Sequence, residues 1–258
     1  MRPLFVSHGA PTLPFDDVPA RDFLAGLGTT MKRPRAILVI SAHWETERPM
    51  VNSVRVNDTI HDFYGFPAPL YDLRYPAPGD PALALKVVER LAAAGIEAGI
   101  DPERGLDHGA WVPLLMAWPK ADIPVVQLSV QPHLGAAHHL AVGQALQALA
   151  DEDILILASG SATHNLGAFR TRTGDDEPDW VRSFADWLNL ALIEGRTEDV
   201  IQYRQAGPNA VQNHPTEEHL LPLFVSLGAA GPQARADRLH TSQTFGILRM
   251  DAWAFESA

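Results

Sequence analysis

A set of short, unbroken apolar runs constrains this chain more than any other feature: Leu4-Phe5-Val6, Ala36-Ile37-Leu38-Val39-Ile40, Ile123-Pro124-Val125-Val126-Gln127-Leu128-Ser129-Val130 and Ile154-Leu155-Ile156-Leu157-Ala158-Ser159. Runs this continuous, rich in branched residues and bounded by turn formers, read as strands buried on both faces, the habit of a parallel sheet under helices. Pro124 stands near its strand's start, where a missing N–H does least harm. Segments of helical spacing alternate with these runs. Residues 81–94 carry Leu83, Leu85, Val87, Val88 and Leu91, with Gly95 as a stop; 137–150 are rich in Ala and Leu; 180–194 place Trp180, Phe184, Trp187, Leu188 and Ala191 on one face. A further helix is predicted from near Thr216 to before Gly228. The pattern predicts an α/β fold, a single domain over 1–258 whose mainly parallel or mixed central sheet is flanked by helices. Its active site is expected at the strand C-terminal ends.

Length and charge narrow the functions. A chain of 258 residues can bury a sizeable core. With 20 Lys and Arg against 31 Asp and Glu, the formal charge of −11 argues against binding a phosphate backbone, so no nucleic acid partner is expected. There is no cysteine, which excludes disulfides and thiolate ligands and leaves nitrogen and oxygen to hold any metal. No apolar run approaches the roughly 20 residues that span a bilayer, and the N-terminus lacks a basic-then-apolar leader pattern, so a soluble cytoplasmic protein is expected. Residues 58–80, aromatic and proline-rich, read as a long ordered loop of the functional kind. Residues 170–178, polar and charged, read as a solvated surface loop.

Histidines carry the chemistry. Ser7-His8-Gly9-Ala10-Pro11 and Ser41-Ala42-His43-Trp44 each place an imidazole directly after a predicted strand. One such histidine alone fits a strand-end residue satisfied by a backbone carbonyl; two at equivalent strand ends favour a shared ion, with positions left open for substrate. In His214-Pro215-Thr216-Glu217-Glu218-His219, Pro215 suits a first helical position and the two glutamates suit the positive end of the helix dipole. His219 then lies within the helix, where it can face the sheet, and His214 is a pocket or supporting residue. Gly160-Ser161-Ala162-Thr163-His164 lacks both phosphate-loop fingerprints and the full serine nucleophile elbow. His164 is the better general base, because imidazole exchanges protons near neutral pH. His108, in Asp107-His108-Gly109-Ala110-Trp111, is either a pocket residue or a turn histidine satisfied by Asp107.

Segments 7–11, 41–44, 60–67, 73–78, 105–113, 163–166 and 214–219, in this order and reaching to Met250-Asp251-Ala252, resemble the 4,5-DOPA extradiol branch of the class III (LigB-type) ring-cleaving dioxygenases. The resemblance implies one divalent non-haem metal, Fe(II) for activity with Zn(II) also found, and a small catechol substrate opened with O2. It implies metal ligation by His8 and His43, with the third ligand from the C-terminal helix. Protocatechuate-type relatives place a glutamate nine residues before a Gly-Ala; here His219 stands at that distance from Gly228-Ala229, as in the DOPA-type branch. A third neutral ligand leaves the site one unit more positive than a two-histidine, one-carboxylate site. Glu217 or Glu218 supplies a carboxylate only if the helix is rotated. His164 corresponds to the acid/base histidine, or to a fourth ligand in a zinc form, and His108 is a second catalytic histidine contacting substrate or oxygen. Two rival readings are a zinc hydrolase on the same histidines and a non-catalytic metal-binding module. Tyr64 and Tyr71, more than Arg74, are expected to set selectivity for the substrate side chain. The sequence leaves the oligomeric state open.

Overall fold

The computed structural model describes residues 1–169 and 176–257. Its strands are β1 (Leu4–Ser7), β2 (Ala36–Glu45), β3 (Met50–Asn52), β4 (Gly99–Asp101), β5 (Val125–Val130), β6 (Ile154–Gly160), β7 (Ala234–His240), β8 (Gln243–Thr244), β9 (Leu248–Arg249) and β10 (Ala252–Ser257). Eight of them form one sheet in the order β4-β3-β5-β2-β6-β1-β10-β7. The four central strands run parallel, while β3 on one side and β10 and β7 on the other pair antiparallel, so the sheet is mixed with a parallel heart.

The apolar runs are continuous because each strand feeds two cores. In β2, Ala36, Leu38 and Ile40 point to one layer and Ile37 and Val39 to the other; β6 divides Ile154, Ile156 and Ala158 from Leu155 and Leu157 in the same way. The first layer is covered by α2 (Pro81–Ala93), α4 (Gly135–Leu146), α6 (Asp179–Ile193) and α10 (Leu221–Ala229), the second by α1 (Pro19–Thr30) and α3 (His108–Ala117). Short helical turns α5 (Leu166–Phe169), α7 (Thr197–Ile201), α8 (Tyr203–Ala206) and α9 (Ala210–Asn213) complete the chain. Among the described residues no helix is long and apolar enough to cross a membrane.

Several expectations need adjustment. Strand β2 does not end before His43 but runs through it to Glu45, its register against β5 shifting after Ile40. The last helix begins at Leu221 instead of near Thr216, so His219 lies in the turn before it. Pro222 is the reason: inside a longer helix its ring would clash with the carbonyl of Glu218 and its missing N–H would leave a gap, whereas in the first turn neither matters. The glutamates therefore do not cap that helix as expected. Of the loop predicted at 170–178, residues 170–175 lie outside the described residues, and Glu177 is not solvated but ion-paired with Arg249 at 2.9 Å.

Candidate metal centre and active site

The sheet's parallel heart brings the strand ends together. His8 follows β1, with its N–H on the carbonyl of Gly160 at the end of β6 (3.0 Å). His43 projects from the extended end of β2. His108 opens α3, whose first turn is capped by Asp107 through Ala110 N–H (3.2 Å). Asp107 is fully buried and also accepts from Ser41 Oγ (2.6 Å), Arg104 (3.1 Å) and Gln127, so one carboxylate ties α3 to β2 and β5.

Glycines permit the closest approaches. A Cβ on Gly109 would stand 2.4 Å from Ser41 Oγ and 2.9 Å from His43 Cδ2, so only glycine lets α3 seat against β2 at this point. A Cβ on Gly160 would stand 2.1 Å from the carbonyl oxygen of His219, which itself accepts the Ser161 N–H at 2.8 Å. The turn carrying His219 is thus pressed onto the end of β6.

The imidazoles share one arrangement. His8 Nδ1 meets Ser159 Oγ at 3.1 Å, and Ser159 gives its proton to the Gly109 carbonyl, so the serine accepts from His8. His219 Nδ1 donates to Glu218 Oε1 at 2.9 Å. Asp62 holds His108 twice, accepting its backbone N–H (2.8 Å) and its Nδ1–H (2.8 Å), and stands 3.6 Å from His43 Nδ1. Each ring therefore has its Nδ1 engaged or faced by an outer acceptor, which leaves Nε2 as the inward lone pair, the arrangement metal-ligating histidines use. His8 Nε2 and His43 Nε2 face each other at 3.1 Å. Nitrogens of His8, His43 and His108 lie within 4.8 Å of one another, as do ligand atoms of His164, Glu218 and His219. The two groups adjoin: ring centroids of His43 and His219 are 4.9 Å apart, those of His8 and His219 5.5 Å, and His164 stacks on His219 at 3.4 Å. His219 Nε2 is buried without a hydrogen-bond partner among the described residues.

Burial sets the protonation states. It drives His8 and His219 well below the ordinary imidazole range, helped by neighbouring histidines. It lowers His43 to about 3, reinforced by His108 and opposed by Asp62, and His164 to about 4, reinforced by His43 and His108. Burial alone would raise Asp62, but the hydrogen bonds and charge of His108, then His43, bring it down to about 2. The imidazoles of His8, His43, His164 and His219, kept neutral by burial beside a carboxylate that stays ionised, are in the right state to bind a divalent cation. The orphaned Nε2 and the converging nitrogens fit one such ion, held by a three-histidine set.

Five of the six histidines singled out in the sequence, all but His214, line one cleft of about 640 Å³, together with Phe63, Phe66, Leu166, Phe169, Phe245, Ile247 and Leu248. Other candidates stand elsewhere. His214 is buried behind the cleft with its Nε2 on the Ala162 carbonyl (3.0 Å), a supporting role, and Glu217 is taken by the Tyr203 hydroxyl (2.8 Å). Tyr64 is 91% exposed, and neither it nor Tyr71 lines the cleft, so the aromatic wall is Phe63 and Phe66 of the same loop. Arg74 is spent on the Tyr71 and Leu73 carbonyls at 2.6 and 2.8 Å. Sequence reasoning missed Asp62 and Ser159, whose roles arise only from pairing in space; adjacency of Asp62 to His61 was the available signal.

A mixed α/β sheet with a three-histidine cluster in an aromatic cleft at its strand ends defines a non-haem metal-dependent oxygenase class. The model of the catalytic LigB subunit of aromatic ring-opening dioxygenases matches residues 4–249, and the chain belongs to that family. It is an extradiol dioxygenase acting on a catechol-type substrate with O2. Among its relatives, the 4,5-DOPA dioxygenase extradiol of Beta vulgaris is 48% identical over 257 residues, covering 98% of this chain and 96% of its own. A protein of the same description from Escherichia coli is 43% identical over 234 residues, covering 89% and 85%. The crystal structure of an uncharacterised protein of E. coli K12 superposes with a TM-score of 0.82 at 34% identity, covering 98% of this chain and 99% of its own.

Proposed function

We propose that the whole chain acts as one catalytic domain that opens a catechol bearing a DOPA-like side chain, with Fe(II) as the active metal and Zn(II) able to take its place. In this reading His8, His43 and His219 hold the ion. The observation that carries it is His219 Nε2, buried without a partner while its Nδ1 is fixed on Glu218. The proximity of His108 to His8 and His43 favours a second set in which His108 is the third ligand. Anchoring on an outer carboxylate does not separate the two, since Asp62 holds His108 as Glu218 holds His219; of these two rings, only His219 has an Nε2 that is fully buried and unpartnered among the described residues.

When bound, such a metal lowers the cost of deprotonating a coordinated catechol and provides a place for O2 beside the ring. The protein's own groups do the rest. His164, kept neutral by burial and held by its N–H on the Asn213 carbonyl (3.0 Å), takes up a hydroxyl proton and returns it as the ring opens. His108, its Nδ1–H held by Asp62, presents its Nε2 lone pair as the acceptor of a hydrogen bond from a substrate hydroxyl. Phe63, Phe66 and the apolar residues of the opposite wall hold the ring flat and exclude water. Both atoms of O2 enter the product, and the bond broken lies beside the two hydroxylated carbons.

The test is O2 uptake by protein loaded anaerobically with Fe(II), using DOPA as substrate, with mass analysis of the product. Stoichiometric uptake and a product heavier by two oxygen atoms are expected. Turnover with Zn(II) alone and no O2 uptake would establish the hydrolase reading, and metal binding with neither reaction would leave a binding module.

A further inference from the structure

The cleft is too large for a bare catechol, at about 640 Å³, and what its walls offer the rest of the substrate is uneven. Past the histidines they are mainly apolar, with the hydroxyls of Thr12 and Ser161 as the uncharged polar groups, and among the described residues the lining contains no lysine or arginine. It contains one carboxylate, Asp16. This residue follows the single turn Leu13–Phe15 on the wall that begins at His8, so the chain leading away from the metal centre delivers it to the same cleft. The Thr12 hydroxyl donates to Asp16 Oδ2 at 2.8 Å and fixes the carboxylate, while Oδ1 receives no hydrogen bond from the described residues. The Arg21 guanidinium forms no ion pair with this carboxylate: it donates to the backbone carbonyl of Asp16 (3.2 Å) and lies 3.6 Å from the Asp22 carboxylate.

A half-buried carboxylate on an apolar wall is costly to leave unpaired, and its attraction for a cation is stronger there than in water. We propose that Asp16 is the residue that reads the substrate's side chain, and that the cleft selects catechols carrying a cationic amine over those carrying only a carboxylate. The inference rests on the catechol-opening activity proposed above and adds to it a specificity-determining contact. A primary ammonium fits the site well, since it brings hydrogen-bond donors to Oδ1 without displacing Thr12.

The experiment compares kcat/KM for dopamine, 4-ethylcatechol and hydrocaffeate, which are cationic, neutral and anionic catechols of similar length, in wild type, Asp16→Asn and Asp16→Lys. Dopamine should be the best of the three in wild type. Asp16→Asn should lower the dopamine to 4-ethylcatechol ratio by about tenfold or more, the scale of a hydrogen bond to a charged group. Asp16→Lys should invert the order of dopamine and hydrocaffeate; if the lysine variant does not fold, Asp16→Ser should repeat the loss of dopamine preference expected for Asp16→Asn. Anaerobic calorimetric titration with dopamine, which needs no turnover, should show the same loss of affinity in Asp16→Asn. Unchanged ratios and affinities in the folded variants would overturn the assignment. If no catechol supports O2 uptake in wild type, the activity reading fails, and the titration alone decides on Asp16.

Discussion

The choice of third ligand can be settled by removing His219 and His108 one at a time and measuring metal. Nothing else described satisfies His219 Nε2, so His219→Ala removes a donor outright. Structural zinc sites bind with about 10–16 kcal/mol shared among four ligands, or about 3 kcal/mol each, so one lost imidazole should weaken metal binding by about 100-fold or more. His108→Ala removes a ring held on Asp62 and leaves His43 facing that same carboxylate at 3.6 Å. Its effect should stay near about tenfold, the low end for an outer partner, and Glu218→Gln, which loosens His219 Nδ1, should fall at about 10–100-fold. The assay is metal content after dialysis against a graded chelator, with circular dichroism to confirm that each variant is folded. A His108→Ala protein that emerges metal-free while His219→Ala keeps one equivalent would refute the reasoning and make His8, His43 and His108 the ligand set.

Two further outcomes follow from burial. His139 sits in the first core layer with Nδ1–H on the Gly135 carbonyl (2.7 Å) and Nε2 accepting the Gln131 N–H (3.1 Å), and burial lowers it to about 4. Because the unfolded chain binds that proton more readily, the resulting stability is complete above pH 6.5, declines as pH falls and is gone below about 4; it amounts to about 3 kcal/mol. Urea melts between pH 4 and 7 should show a shallower slope for His139→Gln than for wild type, and identical slopes would count against the account. For selectivity, Tyr64→Ala should leave the ratio of kcat/KM for substituted and bare catechol within about twofold, as an exposed site implies, whereas Phe63→Ala should change it clearly. The reverse result would mean that the loop closes over the substrate in a way this arrangement does not show.

The central strands were legible because burial on both faces leaves no polar alternation to disguise them. Strand β2 was read short since Ser41 and His43, the residues with chemistry, interrupt its apolar run, although the backbone continues to Glu45. Helix α3 was not read at all: it is buried all round from His108 to Leu114, so it lacks the one-sided period that betrays a surface helix, and Pro113 lies inside it. The start of α10 was misplaced because Pro215 and Pro222 each suit a first turn, and the helix begins at the second, where Pro222 would otherwise interrupt it. The site histidines stood out by their positions after strands, and His219 by a family spacing. The outer acceptors did not: Asp62, Ser159 and Glu218 act through contacts that span from 1 to 151 residues, and no local pattern encodes which carboxylate or hydroxyl a given ring will meet. Tyr64 and Tyr71 failed for a related reason, because aromatic loop residues look alike in sequence whether they face a cleft or solvent.

The seat of His219 on Gly160 also governs when the protein becomes competent. The proposed donors come from the first strand, from the second, and from a turn that is synthesised when most of the chain already exists, and the carbonyl of His219 is seated at the end of β6, which lies in the sheet between β1 and β2. No nascent fragment that lacks the final quarter of the chain can assemble the proposed set. Such distant pairings form late and slowly, because the closure of long loops precedes the contacts that stabilise it. With that set, loading of the ion waits for the turn at His219, and a chain stalled before that point lacks the third proposed ligand.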